Sequence, residues 1–286
     1  MTGNASSVDG HPVEPGERSG VLHPDNLARY DAQWIPPAAD LAEVVDQYWH
    51  VSWSLGTGEE LDQRIIDLPA VTATVEEGDV PAPLAVTGVQ SGAWRRTIRG
   101  SGRVFAIRLR PAGLAVVSDL TVQEVNDRTV ALNETTDGRL ASLTRAVAAE
   151  YSPASRARAA DVAIRLLLLE RPPARSGLLA NRIMDELRGD LRKRAGSLLA
   201  EQLAVSERTI QRALISTVGH GPKWVIRRIR LQEVARALVL RPSEELAAVA
   251  VELGYTDQSH LTADFRSVTG LTPGAYRREV ARLTGV

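Results

Sequence analysis

The chain has no cysteine, which excludes a disulfide framework, a thiolate metal site and a cysteine nucleophile. It also lacks an HxH pair, a G-x-S-x-G nucleophile elbow and a glycine-rich phosphate loop. His23 and His50 have no partner at metal-ligand spacing, and His11 lies in a polar leader, so no metal, cofactor or catalytic residue is expected. The leucine-rich stretch Ala163–Leu169 is too short to span a bilayer. Met1–Gly20 has neither a basic n-region nor an apolar h-region, so residues 1–27 read as a disordered tail and not as a signal peptide. A soluble cytoplasmic protein without a membrane partner is the expectation.

Excess charge is also lacking. The formal net charge of the 286 residues is −1, which suits a nucleic-acid binder poorly until the chain is divided. Residues 176–286 carry 17 Lys and Arg against 12 Asp and Glu, a net of +5, and the remainder carries −6. Only the C-terminal part is prepared to meet phosphate.

The patterning predicts an α+β protein. Over residues 28–117, short runs rich in Val, Ile, Thr and Trp recur: Tyr48–Leu55, Arg64–Leu68, Val71–Val75, Leu84–Val89, Trp94–Ile98 and Val104–Leu109. Gly, Pro, Asp and Ser clusters punctuate them, which suggests a small β-barrel or sandwich. Over residues 118–175 the texture becomes helical, with Leu140–Tyr151 and Ser155–Glu170 as the helices. Pro172-Pro173 breaks the second, making Arg171–Gly177 a natural linker.

From Leu178 the helical signals are continuous. Ser197 caps a short helix to Val205, and Ser206 caps Glu207–Thr217. Gly221-Pro222 opens a helix to about Leu240, Ser243 caps Glu244–Leu253, Asp257 caps Gln258–Val268, and Thr272-Pro273 starts the last. Residues 176–286 thus form an all-α domain containing two similar pieces. In the first, Ile210, Leu214 and Val218 are the apolar positions, leaving Arg208, Gln211 and Arg212 on a polar face. Such side chains suit a major groove, where Arg reads guanine and Gln reads adenine bidentately. In the second, Leu261, Phe265 and Val268 anchor a helix that exposes Gln258, Ser259, His260 and Thr262. Eighteen intervening helical residues span roughly 27 Å, close to one turn of B-DNA at about 34 Å. Two such units could enter successive major grooves. Arg227, Arg228, Arg230 and Arg236 on the intervening helix are candidate phosphate clamps.

The run Ser206-Glu207-Arg208-Thr209-Ile210-Gln211-Arg212-Ala213-Leu214 resembles the first recognition helix of the AraC/XylS family of transcription regulators. Ala250 through Leu261, with Asp264-Phe265-Arg266, Gly270, Thr272-Pro273 and Tyr276-Arg277, is similar to that family's second-unit signature. The resemblance implies a seven-helix DNA-binding domain, with Ser206, Arg208, Thr209, Gln211, Arg212, Gln258, Ser259, His260, Thr262 and Arg266 facing double-stranded promoter DNA. It further implies contact with RNA polymerase, activation as the usual mode, and an N-terminal domain, often a cupin-like barrel, that binds a small effector or holds a homodimer. Two departures stand out: Ala263 replaces the usual Arg or Lys, and Ala204 replaces the usual turn glycine. The DNA-repair methyltransferases that share this type of domain need a reactive cysteine, which is absent.

Trp34, Trp49, Trp53 and Trp94, four of the five tryptophans, fall in the N-terminal β region. They either line an effector cavity or simply fill a small core. The helices between Leu140 and Glu170 are the expected dimer surface or relay. A ligand-independent DNA-binding factor and a protein-interaction module without specific DNA binding remain the alternatives.

Overall fold

The computed structural model describes residues 11–12, 20–22, 26, 29–189 and 196–284. Among these residues nine strands form two sheets: β1 (His11–Pro12), β2 (Tyr30–Ile35), β3 (Val45–Ser54), β4 (Glu60–Ile65), β5 (Thr72–Gly78), β6 (Leu84–Thr87), β7 (Trp94–Arg99), β8 (Ser101–Leu109) and β9 (Thr129–Ala131). The larger sheet runs β1-β2-β3-β8-β5-β6-β9, and β4 pairs with β7 as a separate ribbon. The α+β expectation holds, but the barrel does not close. Among the described residues β1 and β9 are the edges of the larger sheet, and the β4–β7 ribbon shares no strand pairing with it, although the Trp53 indole of β3 donates to the Arg99 carbonyl of β7 at 3.0 Å. Long β3 and β8 pair over almost their whole length, bringing Trp53 opposite Gly102. A Cβ at Gly102 would fall 2.4 Å from the Trp53 ring, so glycine is needed for the indole to lie flat across β8.

Four helices follow: α1 (Leu114–Val117), α2 (Val122–Val125), α3 (Glu134–Ala148) and α4 (Pro153–Glu170). Asn133 and Ser152 cap the two long ones with their side chains, as the preference for such residues at the N-cap predicts. Residues 118–175 are not a separate helical region. Leu140, Leu143, Val147, Ala160 and Ile164 share one core with Val75, Phe105 and Ile107 of the sheet, and β9 extends the sheet to Ala131. Hydrophobic burial, non-directional and proportional to area, makes the helices the cover of the sheet's apolar face.

Seven helices complete the described chain: α5 (Arg175–Gly189), α6 (Gly196–Gln202), α7 (Glu207–Thr217), α8 (Pro222–Leu240), α9 (Leu246–Glu252), α10 (Gln258–Thr269) and α11 (Pro273–Thr284). The expected linker at Arg171–Gly177 is shorter than predicted, because α5 begins at Arg175. A Cβ at Gly177 would lie 2.9 Å from Ala112, so close approach to the β domain, not flexibility, explains the glycine. Buried Asn181 locks the junction, donating to the carbonyl and carboxylate of Glu43 and accepting from the Ala112 amide.

The tail expectation also needs correction where residues are described. His11–Pro12 pair with β2. Val21 bridges to Ile65, and Leu22 is fully buried together with Ile66 among Leu231, Leu253, Phe265 and Tyr276. The rest of residues 1–27 lies outside the described residues, except Gly20, whose carbonyl accepts from the Ile66 amide at 2.8 Å, and Asn26, whose amide donates to the Gln63 side chain.

Candidate nucleic-acid interface

The all-α part builds two cores on one shared helix. The first half of α8 gives Val225 and Ile229 to a cluster with Ile183, Leu187, Leu199, Leu203, Ile210 and Leu214. Its second half gives Leu231, Val234, Ala235 and Leu238 to the cluster with Val249, Leu261, Phe265 and Tyr276. At 19 residues, α8 spans about 28 Å. It fixes the separation of α7 and α10 by rigid packing at both ends.

The two units have the same turn. Ala204 adopts a left-handed conformation with φ +52°, as does Gly254 at φ +75°. The amide of Val205 donates to the Ala200 carbonyl at 3.0 Å, and that of Tyr255 to the Ala250 carbonyl at 2.8 Å. These are equivalent six-residue closures of the first helix. Ser206 then caps α7, accepting from the Thr209 amide at 3.2 Å, and Asp257 caps α10, accepting from the His260 amide at 2.8 Å. The Thr209 hydroxyl is itself bound to Ser206 at 2.8 Å. The expected cap at Ser243 is not formed; α9 starts later, with Glu245 at the cap position and no side-chain hydrogen bond there. The side chain expected to cap α6, Ser197, lies outside the described side chains.

Aligned on the caps, α7 and α10 present matching positions. Arg208, Gln211 and Arg212 of α7 are exposed on one face while Ile210, Ala213 and Leu214 are buried. The corresponding positions of α10 are Ser259, Thr262 and Ala263, with Leu261 and Phe265 beneath. Gln258, His260 and Arg266 are also exposed; the His260 ring sits edge-on to Tyr255, centroids 5.2 Å apart. Arg208, Arg212 and Arg266 form no ion pair with the described residues. The first unit therefore holds the two-pronged donors, and the second offers mainly short hydroxyls and one arginine.

The candidate phosphate clamps of α8 are mostly committed elsewhere. Arg227 binds Asp264 at 2.6 Å and Ser267 at 2.7 Å. Arg228 is buried and donates to the Asp67 carbonyl at 2.8 Å; burial pulls its pKa down to about 10 although Asp67 opposes the shift. Arg230 lies over the Tyr255 ring. Only Arg236 of the four is exposed, with Glu233 3.8 Å away.

Residues 199–279 match the model of a helix-turn-helix domain family, and residues 33–131 match a domain of unknown function. Over 117 residues the chain is 34% identical to a putative AraC-like transcription regulator of Streptomyces lividans, covering 41% of this chain and 33% of that protein. The likeness to a namesake from Streptomyces antibioticus is 35% over the same length and the same shares. The C-terminal third is an AraC-type helix-turn-helix domain. The chain spans about a third of the length of these curated relatives. Among solved structures it is similar to the C-terminal domain of AraT, a response regulator from Geobacillus stearothermophilus, at 21% identity and TM-score 0.34, covering 37% of this chain and 88% of that one. It is also similar to ToxT from Vibrio cholerae at 10% identity and TM-score 0.43, covering 88% and 98%.

The AraC-type domain is held by the N-terminal domain at both units. Asn126 donates to the Val218 carbonyl at 3.0 Å at the end of α7. Arg64 of β4 donates to the Thr269 carbonyl at the end of α10. Gln232 of α8 donates to the Ile66 carbonyl at 2.8 Å. Sequence reasoning missed these residues, since a polar residue in a strand or turn carries no local mark of its distant partner.

All four expected tryptophans, Trp34, Trp49, Trp53 and Trp94, line a cavity of about 390 Å³. It lies between the larger sheet, the β4–β7 ribbon and α8. They border an open space as well as contributing apolar packing. No helix of the described residues is long and apolar enough to cross a membrane.

Proposed function

We propose that this chain is a sequence-specific transcription regulator of the cytoplasm, not an enzyme, whose AraC-type domain lays α7 and α10 in successive major grooves of duplex DNA. One observation carries this reading: exposed Arg208, Gln211 and Arg212 stand together, the two arginines without ion-pair partners among the described residues, on a recognition helix joined to its equivalent through α8, itself about 28 Å long. The two faces differ in chemistry, so the site is asymmetric. The first unit reads bases through Arg208, Gln211 and Arg212. The second, with Gln258, Ser259, His260, Thr262 and Arg266, mainly sets register on the backbone.

The N-terminal domain supplies control. Its tryptophan-lined cavity abuts α8, which favours a small effector over a ligand-independent factor. Homodimerisation is assigned to α4, where Val162, Leu166 and Leu169 are exposed at helical spacing. Regulation acts through RNA polymerase at the promoter, activation being the expected sign.

Selection of bound fragments from genomic DNA with the full chain, followed by footprinting, tests the reading. Protection over roughly two helical turns is expected. Equal affinity for the best selected site and random duplex at moderate salt would overturn it, since only the phosphate contribution would then remain.

A further inference from the structure

The chemistry of the cavity wall is more specific than its size. The Trp34 and Trp49 rings, paired across β2 and β3, lie 5.2 Å apart at 63°. The guanidinium of Arg108 sits 5.4 Å from each ring centroid, and that of Arg96 lies 6.0 Å from Trp53. Flat π systems are the partners such surfaces accept best.

Most of the charge on the wall is already committed, and burial raises the pKa of Asp67, the one carboxyl there with no ion pair among the described residues. Three carboxylates, Asp67, Glu76 and Glu233, face three guanidiniums, Arg96, Arg108 and Arg236. Arg96 pairs with Glu76 at 2.7 Å, whose other oxygen accepts from Thr74 at 2.9 Å. Arg108 pairs with Asp46 at 2.7 Å. An entering ion would lose hydration without finding a free counter-charge. Two hydrogen-bonding groups on lining residues are instead unsatisfied: the indole Nε1 of Trp34 and the hydroxyl of Thr72 are buried with no partner among the described residues. The first can only donate.

We propose that the cavity binds an uncharged, planar aromatic molecule bearing a hydrogen-bond acceptor, and that the occupant touches α8 directly. The proposal rests on the effector-controlled reading above and names the ligand class. The structural route is short. Ile66 and Asp67 line the cavity, and their carbonyls hold Gln232 and Arg228 of α8 at 2.8 Å each. Since α8 contributes to the cores of both helix-turn-helix units, an occupant pressing on this wall acts on the helix that sets their spacing.

The test uses the full chain without DNA and three probes with one skeleton: naphthalen-2-ylmethanol, naphthalene-2-carboxylate and naphthalen-2-ylmethylammonium. Binding is read by calorimetry and by tryptophan quenching. The neutral probe is expected to bind on the order of ten-fold more tightly than either ion, because it alone escapes the desolvation penalty. Comparable or tighter binding of an ion, or no binding by any of the three, overturns the proposal. Ala32→Trp, which fills the cavity, should abolish binding of the neutral probe with an unchanged circular dichroism spectrum; retained binding places the site elsewhere. On α8, Glu233→Gln should raise affinity for the anion, and Arg236→Gln for the cation, by about three-fold relative to the neutral probe through the removed repulsion. No change in either removes the contact with α8. Because DNA is absent from these measurements, a chain that binds the neutral probe but no operator sinks the regulator reading alone.

Discussion

Arg64 and Thr269, 205 residues apart, meet where the N-terminal domain touches the second recognition helix: the guanidinium of Arg64 donates to the carbonyl that ends α10. A cation placed at a helix C-terminus satisfies an orphan carbonyl and complements the macrodipole. Neighbouring Gln63 and Ile65 on the same strand line the cavity, so β4 joins the space to the helix.

Arg64→Ala should therefore act on the second unit more than the first. Loss of this charge-assisted bond is expected to cost about 1–2 kcal/mol of stability. Hydrogen exchange should quicken at the end of α10 while α7 stays protected. Uniform exchange changes in both helices would show that the contact is incidental.

The left-handed residue Ala204 makes a stability prediction of opposite sign. A Cβ in that conformation is strained, so Ala204→Gly should stabilise the protein by up to about 1 kcal/mol after the entropy of the unfolded glycine is counted. Gly254→Ala, in the equivalent turn, should destabilise by a similar amount. Denaturant midpoints of the two variants decide it.

For DNA, Arg208→Ala should weaken specific binding by about 1–3 kcal/mol and relax preference at one base position. Ser259→Ala, at the matching place in α10, should cost clearly less. Ala263→Arg should strengthen binding, because it restores a long cation at the position matching Arg212. Titrations against selected and random duplex at two salt concentrations separate base contacts from phosphate contacts.

Acid should loosen the junction between the domains. Burial alone would raise the carboxyl of Asp46, but the charges of Arg108 and Arg188, and the hydrogen bonds from both, outweigh it and hold the pKa at about 2. A depressed folded pKa contributes stability above the unfolded value and loses it as pH falls through the folded one. The contribution here is roughly 2 kcal/mol at neutral pH. Asp46→Asn should show that deficit at pH 7, and its gap from the parent should narrow progressively below pH 4. A constant gap would assign the loss to packing.

The surface of α4 gives a test of assembly. Leu166→Glu should reduce the sedimentation coefficient to that of a monomer without lowering the thermal midpoint, since Leu166 is already exposed. A parent chain that is itself monomeric removes α4 as the dimer surface.

The amino-acid order alone determined the recognition units: caps at Ser206 and Asp257, proline at the start of α8, and apolar positions three and four apart. These are local signals, set by backbone hydrogen bonding and the helical repeat, and folding obeys them at short range. The order also marked four tryptophans as a group, yet left open whether they fill a core or border a space. Only tertiary structure decided that, along with the open sheet, the strand at Thr129–Ala131, the late start of α9 and the burial of Leu22 in the second unit's core. Strand pairing and burial join residues far apart in the chain, where no local preference selects the partner. Arg227 and Arg228 look like phosphate ligands in the sequence, yet the fold pairs Arg227 with Asp264 at the surface and buries Arg228 against the Asp67 carbonyl, partners that only tertiary structure brings within reach.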